Sequence, residues 1–174
     1  MNQDARPDTD SMIRVDHAGE YGATRIYAGQ LAVLGKSSAA AHEIARMAAQ
    51  EDRHLARFDE LIAQRGVRPT VLQPIWSVAG FALGAATALI GEKAAMACTD
   101  AVETEIDKHY KEQLDALGDH DPELSADIAQ FREEELEHRD TARDHGSQEA
   151  VAYPVLTGLI RAGCKVAIGL SKRI

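Results

Sequence analysis

Two short runs carry chemistry: Glu51-Asp52-Arg53-His54 and Glu135-Leu136-Glu137-His138. On a helix, residues three apart share a face with Cβ atoms about 5–6 Å apart, so the carboxylate and imidazole of each run reach one cation. One such tetrad would carry little weight, because short motifs recur by chance. The repeat is stronger. Glu20 precedes Glu51 by 31 residues and Glu103 precedes Glu135 by 32, so positions 20, 51 and 54 return at 103, 135 and 138. In an antiparallel helical hairpin, two residues lie level when they are equidistant from the turn. The midpoint of 20 and 51 is 35.5, within Gly35-Lys36-Ser37-Ser38, and that of 103 and 135 is 119, within Gly118–Pro122. Each hairpin thus sets a lone glutamate opposite a Glu-x-x-His. If the hairpins face one another, four carboxylates and two imidazoles meet.

Four carboxylates taken out of water repel one another, and most would protonate unless cations entered. Two divalent ions balance the four negative charges. Hard oxygen donors with one imidazole each suit Fe(II) or Mn(II) better than zinc, and donor type does not choose between those two. Ferritin-like bundles that hold two iron or manganese ions use this set. Glu105 is excluded from it, lying about 200° around the helix from Glu103. Tyr27 and Tyr110 each follow a lone glutamate by seven residues, about 10.5 Å along the same face. Tyr27 reads as a core residue with a bonded hydroxyl. Tyr110, preceded by His109, is a candidate for substrate positioning or electron entry, and these two form the catalytic expectation. Asp16 and Asp100 stand about one turn before Glu20 and Glu103, where either could accept the second N–H of a metal-bound imidazole. His17, His42, His120 and His145 have no such company and read as surface residues.

The elements that must position these groups are helices. From Ser11 the chain is rich in Ala, Leu, Glu and Arg, with no long strand-like alternation. Breakers at Gly35–Ser38, Gly66–Pro74, Gly118–Pro122 and Gly146-Ser147 leave helices over 12–34, 39–65, 75–91, 92–117, 123–145 and 149–171. The class is all-α: a ferritin-like four-helix bundle with an apolar crossover helix and a C-terminal helix. Residues 1–10 read as a disordered arm and 11–174 as one domain. With 19 Lys and Arg against 28 Asp and Glu, the formal charge is −9, which argues against nucleic-acid binding. Cys98 and Cys164 form no metal-knuckle or disulfide framework. The start, MNQDARPDTD, has no apolar or basic targeting character, which points to a cytoplasmic location.

At this level of detail the sequence resembles the demethoxyubiquinone hydroxylase family, the di-iron monooxygenases of ubiquinone biosynthesis. The likeness rests on Arg14-Val15-Asp16-His17-Ala18-Gly19-Glu20, Glu51-Asp52-Arg53-His54-Leu55, Ala101-Val102-Glu103 and Glu134-Glu135-Leu136-Glu137-His138, and runs from about Met12 to the C-terminus. The resemblance implies that Glu51 and Glu135 bridge two iron ions, with Glu20 and His54, and Glu103 and His138, completing the set. It implies a polyprenyl benzoquinol substrate, O2 as oxidant and NADH as the ultimate electron source; some members work with a lipid-binding accessory protein. A ferritin-like iron-binding protein, or another di-iron oxidase or peroxidase, would use the same donors.

A substrate with an isoprenoid tail resides in the membrane, and residues 69–91 hold no charged side chain for 23 positions. About 20 apolar residues suffice to cross a bilayer. A single crossing would put the two hairpins on opposite sides and forbid a shared metal site. The expectation is therefore a monotopic anchor on the cytoplasmic face of the cell membrane. The insert and C-terminal helix would lie in one leaflet, with Arg161, Lys165, Lys172 and Arg173 at the headgroups. Gly80 and Gly84 would permit close helix packing between protomers, hence a homo-oligomer.

Overall fold

The computed structural model describes residues 7–174. Six α-helices follow in order: α1 (Thr9–Leu34), α2 (Ala39–Arg65), α3 (Gln73–Ile90), α4 (Glu92–Leu117), α5 (Pro122–Asp144) and α6 (Tyr153–Ser171). A short 3-10 turn, Ser147–Glu149, precedes α6, and there is no strand among the described residues. Local chemistry sets the ends. Asp8, Ser38 and Asp121 cap α1, α2 and α5 by accepting from Ser11 N, Ala41 N and Leu124 N. Gly66, at φ 67°, closes α2 in the left-handed region that glycine adopts without strain.

Two expected boundaries shift. The arm expected over 1–10 lies mostly outside the described residues, and its last two positions, Thr9 and Asp10, already belong to α1 because Asp8 supplies the cap. The last helix starts at Tyr153, not 149: Pro154 fits only the first turn of a helix, and Ala152 just before it sits at φ 54°.

α1 and α2 form one antiparallel hairpin and α4 and α5 the other, and the hairpins face one another through α1–α4 and α2–α5. α3 lies along α1, and α6 along α4. The sequence repeat thus extends to the apolar helices, since Gln73–Ile90 moved on by 83 falls at 156–173, over most of α6.

Gly80 and Gly84 do not face a second protomer. They bring α3 onto α1 of the same chain, where a Cβ at Gly84 would stand 1.9 Å from the Ile26 carbonyl oxygen and one at Gly29 2.2 Å from that of Phe81. Only glycine permits backbones this close. Both α3 and α6 are long and apolar enough to cross a membrane, yet each is mostly exposed along one side: Val78 is 72% and Leu89 75% accessible on α3, and Leu159 69% on α6. With α3 laid along α1, the two hairpins remain in one bundle.

Candidate metal centre

All six expected donors converge. Glu20, on α1, and Glu51 and His54, on α2, meet Glu103 from α4 and Glu135 and His138 from α5; none is more than 3% exposed. They form two overlapping groups, Glu20–Glu51–His54–Glu135 and Glu51–Glu103–Glu135–His138, each with ligand atoms within 4.8 Å of one another. Glu51 and Glu135 belong to both. His54 Nδ1 lies 3.3 Å from Glu20 and 3.1 Å from Glu135, and His138 Nδ1 lies 3.2 Å from Glu51 and 3.0 Å from Glu135.

The electrostatics call for cations. Glu20 Oε2, Glu51 Oε1 and His54 Nδ1 are buried without a hydrogen-bond partner, a costly state for groups that bind metal when paired. Burial and the neighbouring Glu135 push the Glu51 and Glu103 carboxyls well above the usual range. Burial alone would lower His54, but Glu135 and Glu20 push it up to about 11. Burial alone would raise Glu135, but His138 and His54 hold it at about 2. Positive charge is thus favoured among these carboxylates, and the oxygen-rich donor set fits two divalent ions.

The tyrosines repeat this symmetry across the bundle. Tyr27, on α1, donates to Glu103 Oε1 at 3.0 Å, and Tyr110, on α4, donates to Glu20 Oε1. Each hydroxyl occupies one carboxylate oxygen. Burial pushes both phenols well above their ordinary value, so they stay protonated donors.

The family model for ubiquinone biosynthesis protein COQ7 matches residues 7–171. The chain belongs to the COQ7 family. It is 59% identical over 165 residues to the 3-demethoxyubiquinol 3-hydroxylase of Rhodospirillum rubrum, covering 95% of this chain and 78% of that one. It is 56% identical over 172 residues to the mouse NADPH-dependent 3-demethoxyubiquinone 3-hydroxylase, covering 97% and 79%. With the yeast 5-demethoxyubiquinone hydroxylase the identity is 45% over 181 residues, covering 95% and 78%.

Around this COQ7-family cluster several expected partners differ. Asp16 and Asp100 do not back the ligand histidines. Asp16 accepts from His109 Nε2 at 3.1 Å and Gln113 Nε2 at 2.9 Å, deep between α1 and α4. Asp100 accepts from Arg143, Ser147 and Tyr153, pinning the start of α6. One turn along the helix carries each carboxylate past the imidazole it was expected to meet. The outer nitrogens go elsewhere: His54 Nε2 to Glu134 Oε2 at 3.0 Å and His138 Nε2 to Gln50 Oε1 at 3.1 Å. Gln50 and Glu134 each stand one residue before a tetrad, so extending the repeat by one position would have found them. His17 is no surface residue; it is 3% exposed and pairs with Asp59 at 3.0 Å across the α1–α2 seam. His42 and His120 are exposed and His145 is half-buried. Glu105 stays off the cluster, as its position around the helix requires, and binds Arg161 at 2.6 Å with Lys165 at 3.9 Å. Arg161 is thus bonded to the protein's own carboxylate, while the Lys165 side chain stays largely exposed.

A cavity of about 510 Å³ lies between α1, α3, α4 and α6 and has no charged residue in its wall. Trp76, Leu83, Val102, Ile106 and Ile160 line it, as does Leu159 at the exposed surface. Ala23, Ile26 and Val102 also border a smaller void lined by Tyr27 and Glu103. His109 and Tyr110 line neither.

Proposed function

We propose that the chain is a 3-demethoxyubiquinol hydroxylase: an O2-dependent di-iron monooxygenase that hydroxylates the ring of a polyprenyl methoxy-benzoquinol in ubiquinone biosynthesis. One observation carries the reading. A buried carboxylate–imidazole cluster lies behind one wall of an uncharged cavity that reaches the apolar surface, Ala23, Ile26 and Val102 separating the two beside Tyr27 and Glu103, which supports delivery of a lipid-tailed ring from that side. The names of the R. rubrum and mouse relatives agree with it.

Two bound irons would supply electrons to O2, so that one oxygen atom enters the ring and the other leaves as water. The protein's part follows from its residues. Glu20, Glu51, His54, Glu103, Glu135 and His138 would hold the ions, Glu51 and Glu135 being common to both groups of donors. The tyrosine hydroxyls hold Glu20 and Glu103 so that each keeps one free oxygen for metal. Tyr110 orients Glu20, and His109 and Gln113 fix the nearby Asp16, which makes Tyr110 and His109 positioning residues between α1 and α4. The cavity wall takes the isoprenoid tail and excludes water.

A reduced nicotinamide is the electron source: the family resemblance implies NADH, and the mouse relative's name carries NADPH. The exposed sides of α3 and α6 rest on the membrane as a peripheral anchor on its cytoplasmic face, with Arg161, Lys165, Lys172 and Arg173 toward the headgroups. The same apolar surface is where a homo-oligomer or a lipid-binding accessory protein would attach.

The test is conversion of a demethoxyubiquinol analogue by the purified chain under isotopically labelled O2, with metal analysis alongside. Labelled ring product and two irons per chain are expected, and both disappear in Glu135→Ala. Oxygen consumed to water alone, or product from iron-free protein, overturns the assignment. Flotation with liposomes checks the anchor, and a chain that stays at the bottom of the gradient has none.

A further inference from the structure

The two imidazoles differ in what stands behind them. His54 gives its outer N–H to a carboxylate, Glu134, and His138 gives its own to an amide, Gln50. Gln50 and Glu134 hold matching places in the two halves, and Gln50 Nε2 donates to Glu134 Oε2 at 3.3 Å. One chain of hydrogen bonds therefore runs His54–Glu134–Gln50–His138 along the α2–α5 seam. Gln130 Nε2 also donates to Glu134 at 3.0 Å, and Arg46 Nη1 donates to Gln50 Oε1 at 2.8 Å. The other polar partners match: each position has one terminal glutamate held by a tyrosine hydroxyl, and both share Glu51 and Glu135.

An anionic acceptor on the far nitrogen makes an imidazole a stronger donor to metal, and such partners change metal affinity about 10–100-fold. We infer that Glu134 and Gln50 make the two cation positions unequal: the Glu20–His54 position, backed by the carboxylate, fills first and holds its divalent ion more tightly. This rests on the metal-centre reading above. It adds an order of loading that the near-perfect repeat of ligands would not suggest.

The full chain, stripped of metal, is titrated without oxygen with Fe(II), and with Co(II) as a spectroscopic probe. Two steps separated about 10–100-fold are expected. His54→Ala removes the tight step and His138→Ala the weak one. Glu134→Gln brings the two steps together. The exchange variant, Gln50→Glu with Glu134→Gln, keeps one carboxylate, one amide and the link between them, and it reverses which histidine variant loses the tight step. A merely structural role for Glu134 would weaken both steps alike, and the exchange would not restore their separation. Equal steps in the parent chain, or an unchanged order in the exchange variant, overturn the inference. Failure to bind either ion in a chain of unchanged helix content sinks the metal centre itself, a separate result.

Discussion

α3 lies on α1 with backbone against backbone, whereas α6, its counterpart in the second half, stands on α4 through side chains. Cβ atoms at Gly80, Gly84 and Gly29 would strike carbonyl oxygens of the facing helix, while Gly158, Gly163 and Gly169 of α6 face nothing within 4 Å. In place of glycine contacts, α6 has Arg161 on Glu105, Tyr153 on Asp100, and Ile160 among Cys98, Ala101 and Val102. Inside the bundle the halves are nearly interchangeable. The difference teaches that the buried carboxylate–imidazole cluster is built from matching residues in the two halves, while the helices outside it, which both line the cavity, are attached in different ways.

The comparison breaks first at the glycines. Gly84→Ala forces a methyl group into the Ile26 carbonyl and should cost about 3 kcal/mol or more of stability. Gly163→Ala should stay within about 0.5 kcal/mol, its methyl group only narrowing the cavity. Denaturant unfolding of both variants decides, and equal losses would mean that α3 and α6 are held alike.

Next in size is the pH response of the symmetric interior. In the metal-stripped chain, Glu51 and Glu103 are raised in the folded state, so it binds more protons than the unfolded chain above about pH 4.5. Stability falls with rising pH wherever the folded state holds the extra protons. His54 adds to the trend, its contribution complete below its ordinary 6.5 and lost as pH rises through about 11. Glu135 works the other way, its contribution present above 4.5 and lost as pH falls toward 2. Thermal melting of the stripped chain should therefore weaken from about pH 5 to pH 9, and loading with divalent ions should remove the slope. A flat profile without metal would mean that the carboxylates are not buried together.

A smaller effect belongs to the outer contact of α6. Glu105→Ala should cost about 1 kcal/mol at neutral pH. Burial works against ionisation of Glu105, but Arg161 and Lys108 hold its carboxyl below the usual value. The loss should therefore appear fully above about pH 4.5 and fade as pH drops through the lowered folded value. The tyrosine pair should give an effect of the same size. Tyr27→Phe and Tyr110→Phe should each lower stability by about 1 kcal/mol, but Tyr27→Phe should raise KM more, because only Tyr27 borders a void beside the cavity.

Much of this was legible in the sequence. The convergence of the six carboxylates and imidazoles, both hairpin turns and the all-α class follow from spacing, because a helix converts residue separation into direction. What spacing does not carry is which helix lies beside which. His17 reads as exposed until Asp59 of α2 appears next to it, and Asp16 and Asp100 find partners on elements far away in sequence. Gly80 and Gly84 announce close packing without saying against what, and the answer, α1, depends on how the crossover folds back. The repeat itself ran further than the ligands showed, since α6 copies the placement of α3 with little of its sequence.

The touching backbones of α1 and α3 bind the apolar crossover helix and the bearer of Glu20 into a single rigid plate. Any widening needed to admit a bulky guest must then come from the opposite leaf, α6, which is joined to α4 by side chains alone. Amide exchange should run faster through residues 155–165 than through 80–90, and the reverse order would show the hinge to be on the other side.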